Sequence, residues 1–108
     1  MSYKATHRFA RISATKVRPL ADMIRGKMAD EALEILKYQP HRGARMLEKV
    51  LHSAMSNAED QRAANLRHLI VVDCRVDGGP MFKRMRPRAR GMAAIIKKHF
   101  SHIHVALE

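Results

Sequence analysis

The chain has 108 residues and a formal net charge of +11, from 21 Lys and Arg against 10 Asp and Glu. This length suits one domain with a modest core; the single Cys excludes a scaffold of internal disulfides, and no uncharged apolar run approaches the roughly 20 residues that a membrane span needs. We expect a cytosolic domain with a polyanionic partner, and a hydrophobic content of 46% argues against a wholly disordered basic tail.

The first predicted element is a strand over residues 3–10, whose side chains alternate with a period of two. In that pattern Phe9 shares a face with Tyr3, whereas Ala10 belongs to the opposite face with Lys4 and Arg8. The second face is basic, so we expect it to meet solvent.

A helix is predicted next, with Ser13 as its N-cap and Gly26 as its C-terminal stop. Pro19 lies inside this span and lacks the N–H that should reach the carbonyl of Thr15. We therefore expect either a bend at Pro19 or a helix that begins later. The apolar stripe of this helix comprises Val17, Leu20, Ala21 and Ile24.

Two further helices follow. Asp30 is the predicted N-cap of a short second helix, and residues 38–40 end it because the residue before a proline avoids the helical region. The third and longest helix is predicted from about residue 41 to about residue 61. Its buried stripe comprises Leu47, Val50, Leu51, Ala54 and Ala58.

Apolar residues then recur at every second position over residues 70–77 and 102–107, which predicts a strand in each segment. Residues 77–80 (DGGP) have the composition of a turn. One face of the earlier strand comprises Ile70, Val72, Cys74 and Val76, and one face of the later strand comprises Ile103, Val105 and Leu107. The predicted fold class is α+β, with three helices packed on a small antiparallel sheet.

The positive charge is concentrated at the two ends of the chain. Residues 1–27 and residues 80–108 each hold seven Lys or Arg against one acid, whereas residues 28–79 hold seven against eight. An ordinary solvated surface mixes both signs. Two basic ends around a near-neutral middle favour a polyphosphate binder, since each neutralised phosphate releases counterions and adds affinity.

Residues 80–100 predict a long, protruding β-hairpin. No acid occurs between Pro80 and Leu107, and Arg recurs at every second position from 84 to 90, which places these side chains on one side of an extended chain. Pro87 and Gly91 bracket the predicted tip. Arms of about ten residues reach roughly 33 Å. Such a ribbon is marginal alone in water, so the alternative for the free protein is a disordered basic loop.

Other chemistries have weaker signals. His99, His102 and His104 suggest a metal site, but strand alternation accounts for the last two, and Cys74 is best explained as a small apolar residue on a buried face. We find no Gly-rich phosphate loop and no convincing nucleophile–base pair, so we expect neither an enzyme nor a cofactor. The alternative to an RNA-binding protein is an architectural DNA-binding protein with Arg/Pro-tipped β-arms. Proteins of that kind are usually obligate dimers, whereas this body is predicted to be complete as a monomer.

Residues 16–27 (KVRPLADMIRGK) resemble the first-helix motif of the bacterial-type ribosomal large-subunit protein twenty-two family. Further blocks resemble that family in the same order and cover nearly the whole chain. They are residues 32–36 (ALEIL), 49–59 (KVLHSAMSNAE), 76–80 (VDGGP), 83–91 (KRMRPRARG) and 101–103 (SHI). Two positions depart from the family pattern: Pro19 stands where an aliphatic residue is expected, and residues 92–96 (MAAII) are apolar where charged side chains are frequent.

The resemblance implies a cytoplasmic, monomeric constituent of the large ribosomal subunit that binds its ribosomal RNA, supports assembly and touches neighbouring ribosomal proteins. It implies a single domain over residues 1–108, with a body formed by residues 1–79 and 101–108 and a hairpin of residues 80–100. The hairpin tip is expected to line the nascent-chain exit tunnel and to meet the nascent chain; it comprises Arg88, Ala89, Arg90 and Gly91. The expected RNA-binding residues are Arg8, Arg11, Lys16, Arg18, Arg25, Lys27, Lys83, Arg84, Arg86, Arg88, Arg90, Lys97 and Lys98.

Overall fold

The structure, a computed structural model, describes residues 2–63, 66–87 and 89–108, without the side chain of Arg67. Strands β1 (Tyr3–Ala10), β2 (Val71–Pro87) and β3 (Ala93–Leu107) form one antiparallel sheet with β3 in the centre. The helices are α1 (Ala14–Ile24), α2 (Ala29–Lys37) and α3 (Arg42–Asp60), and short 3₁₀ turns occupy Leu66–His68 and Ala89–Gly91. The prediction of an α+β fold with a long hairpin is confirmed, and α3 begins and ends within one residue of its predicted bounds.

The core lies between the helices and one face of the sheet. Helix α3 packs on β1 and β3, α1 packs on β2, and α2 packs on α3. The apolar stripes predicted for α1 and α3 are buried throughout, and Leu47 and Leu51 of α3 are fully inaccessible. Helical periodicity in the sequence therefore identified the core-facing side of both helices, because the only large apolar face each helix has must be removed from water.

Helix α1 begins at Ala14, so the alternative of a later start is wrong. Pro19 is exposed, which keeps its ring on the solvent side of the helix. Ser13 occupies the N-cap, but its hydroxyl is 2.8 Å from the hydroxyl of Thr15 and caps no backbone N–H. Gly26 follows the helix with a φ of +83°, a left-handed conformation that favours glycine.

The predicted N-cap of α2 was wrong by two residues. Met28 is the N-cap and Asp30 lies in the first turn. Met28 pairs with Ile70 as an isolated β-bridge, and the N–H of Ala29 donates to the carbonyl of Leu69 at 2.9 Å. Backbone pairing with the segment before β2 fixes the start of this helix, a long-range contact that local capping rules do not contain.

Two β-bulges reverse the predicted side-chain alternation. The β1–β3 register shifts between His7 and Ala10, so that Phe9 is 58% exposed and Ala10 is buried. The β2–β3 register shifts between Val71 and Asp73, which leaves Val72 43% exposed beside the buried Val71. The predicted faces of Phe9, Ala10, Ile70 and Val72 were therefore wrong, because the extra residue at a bulge offsets the alternation before it from the alternation after it, whereas Cys74 and Val76 are buried as predicted.

The segment predicted as a turn, residues 77–80, lies inside β2. The strand passes through both glycines with a third register shift between Gly78 and Met81. A Cβ on Gly79 would lie 3.0 Å from the carbonyl oxygen of Phe100, so the glycine permits a close approach of the two strands. The hairpin is thus a continuation of β2 and β3 rather than an element joined to the body by a turn.

Candidate nucleic-acid interface

Beyond this bulge, β2 and β3 form an arm that leaves the body. Its ladder runs from the pair Met81–His99 to the pair Pro87–Ala93. None of the described residues between 77 and 100 is buried, and the longest dimension of the molecule is 64 Å against 24 and 17 Å. Arg90 and Gly91 turn the chain at the tip with φ values of 63° and 71°. The arm therefore offers nearly all of its side chains to a partner.

Strand alternation divides the arm into two faces. The arginine face comprises Phe82, Arg84, Arg86, Ala94, Ile96 and Lys98, and the methionine face comprises Met81, Lys83, Met85, Ile95, Lys97 and His99. Arg84 and Arg86 share a face as predicted. Arg90 lies in the 3₁₀ turn and does not continue their row, because its left-handed backbone breaks the extended alternation. Arg88 lies outside the described residues.

The charge on the arm has no internal compensation. Lys83 and Lys97 are paired directly across the two strands, an arrangement in which like charges repel. The ion pairs among the described residues lie elsewhere and involve Arg25, Arg45, Arg75 and His104. The cations of the arm are therefore available to an anionic partner.

The other expected RNA-binding residues lie on the body or at the base of the arm. All twelve expected residues that the structure describes are exposed: Arg8, Arg11, Lys16, Arg18, Arg25, Lys27, Lys83, Arg84, Arg86, Arg90, Lys97 and Lys98. Three of them also make contacts within the protein, and one of these is the hydrogen bond from Arg84 to the carbonyl of Lys83 at 3.1 Å. Nε of Arg18 donates to the carbonyl of Val76 at 3.2 Å, and Arg25 donates to the carbonyl of Cys74 at 2.5 Å and pairs with Asp22 at 2.8 Å.

A basic cleft of about 660 Å³ lies where the arm meets the body. Its cations are Arg11, Lys16, Arg42, Arg84, Lys97 and Lys98, and its aromatic side chains are Phe82, His99 and Phe100. Arg42, Phe82 and Phe100 were not predicted from the sequence as members of a site. Arg42 belongs to the near-neutral middle of the chain, so charge counting gave no signal for it; a Phe within an Arg/Lys run was a usable signal for Phe82.

Two of the three histidines of β3, His102 and His104, have structural partners. The ring of His104 lies 3.1 Å from the hydroxyl of Thr6 and 3.0 Å from a carboxylate oxygen of Asp77, and Nδ1 of His102 accepts the backbone N–H of Phe9 at 3.1 Å. Across residues 2–63, 66–87 and 89–108, no group of three or more His, Cys, Asp or Glu side chains is arranged to hold a metal ion. Cys74 is buried as predicted, and burial raises the pKa of its thiol to about 12.

Within the part of the chain that the structure describes, no helix combines the length and apolarity needed to span a bilayer. What remains is a small α+β body that carries a cationic arm and a basic cleft at its base. The fold and its exposed surface define the class as a small basic binding protein.

Comparison with known proteins identifies the family. Residues 5–108 match the family model described as Ribosomal protein L22p/L17e. A large ribosomal subunit protein uL22 from Rhodopirellula baltica is 60% identical over 97% of this chain and 92% of its own length. Proteins of the same name from Caldicellulosiruptor saccharolyticus and Finegoldia magna are 51% and 47% identical, covering 96% and 100% of this chain and 85% and 96% of their own lengths. The chain belongs to the ribosomal protein L22p/L17e family.

Membership confirms the family that the sequence blocks resembled. It also confirms that the protein is a ribosomal structural protein and not an enzyme.

Proposed function

We propose that the protein is a structural constituent of the large ribosomal subunit, in the cytoplasm, and that it binds the ribosomal RNA of that subunit and supports its assembly. The observation that carries RNA binding is the uncompensated charge of the arm, above all the directly opposed Lys83 and Lys97. A phosphate placed between two ammonium groups replaces their repulsion by two attractions and releases counterions. Large-subunit relatives of 60% and 51% identity support the location.

The arm and the body share this binding. Exposed cations on α1, such as Lys16, lie on the body, and Arg84 and Arg86 lie along the arginine face of the arm. A molecule 64 Å long with cations on its body and along its arm can touch RNA segments that are far apart in sequence. Contacts of this kind hold distant segments together during assembly, and they leave other surfaces of the body for neighbouring ribosomal proteins.

The tip of the arm has a different role in this proposal, which is to line the nascent-chain exit tunnel and meet the nascent chain. The supporting observations are its distance from the body and its exposed, mixed surface. Met85 is 75% exposed and Ile95 62% exposed on the methionine face close to the tip, opposite the arginine face. Near the tip, the arginine face is thus suited to RNA phosphates, and Met85 and Ile95 offer flexible apolar groups to a passing chain; Lys83 and Lys97 lie on that second face but nearer the body.

The test is competition at fixed salt between large-subunit ribosomal RNA and duplex DNA for the purified protein, followed by a salt series. We expect the protein to bind the RNA in preference to the DNA. Its affinity for RNA should fall steeply between about 50 and 200 mM salt because Lys and Arg displace counterions. The protein should also remain with the large subunit after a high-salt wash. Preference for duplex DNA would favour a DNA-binding arm protein, and a flat salt dependence would contradict the electrostatic account.

A further inference from the structure

The cleft at the base of the arm combines cations with an exposed aromatic ring, whereas binding of phosphate alone needs only the cations. Six cations line it, and none of them has a carboxylate partner in the described residues. The ring of Phe82 lies in the same cleft and is 48% exposed. Leaving half of a phenylalanine in water among lysines and arginines is unfavourable unless a flat apolar group covers it.

The aromatic part of the cleft is held in place by its neighbours. Phe82 and Phe100 meet edge to face, with 5.3 Å between ring centroids and 87° between ring planes. The guanidinium carbon of Arg84 lies 5.6 Å from the centroid of the Phe82 ring. The guanidinium of Arg84 therefore lies over the phenyl ring of Phe82 at the cleft, and both are planar groups on which nucleobases stack.

The cations come from three separate elements. Arg11 and Lys16 flank the start of α1, Arg42 opens α3, and Lys98 lies on the arm. Arg42 also donates a hydrogen bond to the carbonyl of Arg11, which ties the start of α3 to the start of α1. A cleft lined by both cations and rings matches a nucleotide whose base stacks on the rings while its flanking phosphates meet the cations.

We propose that this cleft takes one unpaired nucleotide of RNA, with its base against Phe82 and Arg84 and its flanking phosphates on Lys16, Arg42 and Lys98. The proposal rests on RNA as the partner and adds a site for a single base to contacts that are otherwise spread over phosphates. An acidic peptide would satisfy the cations but leave Phe82 uncovered. The cleft volume of about 660 Å³ is ample for one nucleotide.

The test uses the full chain and two RNA duplexes of equal charge, one with a single bulged 2-aminopurine and one fully paired. We expect the bulged duplex to bind about ten-fold more tightly and its fluorescence to be quenched on binding, as a base that stacks on an aromatic ring does. Phe82→Leu should abolish the preference and leave affinity for the paired duplex unchanged. Phe82→Trp should keep the preference, and Tyr38→Leu, at an exposed aromatic side chain of the body, should change neither affinity.

Equal affinity for the two duplexes in the wild-type protein would overturn the base site while leaving RNA binding intact. So would a Phe82→Leu variant that retains the preference or that loses affinity for both duplexes equally. Failure to bind either duplex would instead contradict RNA binding itself, and the base site with it. Unfolding midpoints of the variants, measured alongside, show that the body is unchanged, since Phe82 lies outside the buried core.

Discussion

Arg25, the C-cap of α1, donates to the backbone carbonyl of Cys74 on β2, with 2.5 Å between nitrogen and oxygen, while its other terminal nitrogen pairs with Asp22 at 2.8 Å. About two turns earlier on the same helix, Arg18 donates to the carbonyl of Val76. Strand β2 is an edge strand, and these two carbonyls lie on its free side, where unpaired groups invite association with another chain. Two residues expected to bind RNA thus also cover a sheet edge.

Arg25→Lys should therefore lower stability without removing charge. A lysine cannot reach the carbonyl and the carboxylate together, so we expect a loss of about 1 kcal/mol in the free energy of unfolding. Urea denaturation measures it, and Lys27→Arg is the matched control because Lys27 is exposed and its side chain has no recorded hydrogen bond in the described residues. RNA affinity should be nearly unchanged; a large loss of affinity with full stability would make Arg25 primarily an RNA contact.

Arg45 of α3 also donates to backbone carbonyls, here at the C-terminal end of α2. It donates to the carbonyls of Leu36 and Lys37 at 2.9 and 3.0 Å and pairs with Glu48 at 2.7 Å. These carbonyls belong to the last turn of a helix, where no further turn supplies an N–H, although that of Leu36 also accepts the N–H of Gln39 at 3.2 Å. Because the side chain is partly exposed, we expect Arg45→Met to cost about 1–2 kcal/mol in thermal or urea unfolding.

The control for Arg45 is Lys49→Met, one turn further along the same exposed side of α3. It removes the same charge without removing a helix cap. Equal destabilisation by the two substitutions would show that net charge, rather than capping of α2, accounts for the effect.

The body should fold without the arm. All buried side chains of the described chain lie outside residues 77–100, so replacing residues 82–98 by a short turn removes no core contact. We expect cooperative unfolding with a similar midpoint, measured by circular dichroism. A variant with retained helix content but no cooperative transition would mean that the arm stabilises the body, contrary to the division of the chain into body and hairpin.

The Cys74 thiol predicts a stability change at alkaline pH. Burial raises its pKa from an ordinary value of 9.0 to about 12, partly opposed by the nearby cation of Arg25. The folded state therefore holds this proton more tightly than the unfolded state does, so the contribution is complete below pH 9 and is lost as pH rises toward 12.

Comparing the pH dependence of unfolding for wild type and Cys74→Ala isolates that contribution, because other side chains titrate equally in both proteins. The wild-type stability should fall more steeply above pH 9 than that of the variant. The thiol should also resist alkylation at pH 8 in the native protein and react when the protein is unfolded by guanidinium. Rapid alkylation under native conditions would show that the strand face opens readily.

The tip and the base of the arm should separate in function. Arg88→Ala with Arg90→Ala removes two charges at the predicted tip, where each phosphate contact is a modest, largely sequence-independent contribution. We expect nearly normal incorporation into large subunits in cells but altered nascent-chain pausing. The paired control is Lys83→Ala with Arg84→Ala at the base of the arm, which should weaken incorporation more. Loss of assembly with unchanged pausing in the tip variant would make the tip an anchor.

Sequence alone determined which side of α1 and of α3 is buried, where α3 begins and ends, and where the positive charge accumulates. These follow from local periodicity and from counting charges. Tertiary structure decided the rest. The start of α2 at Met28 depends on a bridge to Ile70, and the faces of Phe9 and Val72 depend on bulges set by pairing with β3.

The cleft is the clearest example of a feature that tertiary structure, and not local sequence, determines. Arg42 and Phe82 are 40 positions apart and belong to segments with different charge balance, so no local pattern connects them. They line one cleft because α3 packs on β3 while β2 and β3 carry the arm past the start of α1. Residue spacing can indicate a face of a helix or strand, but only long-range packing brings side chains from three elements to one site.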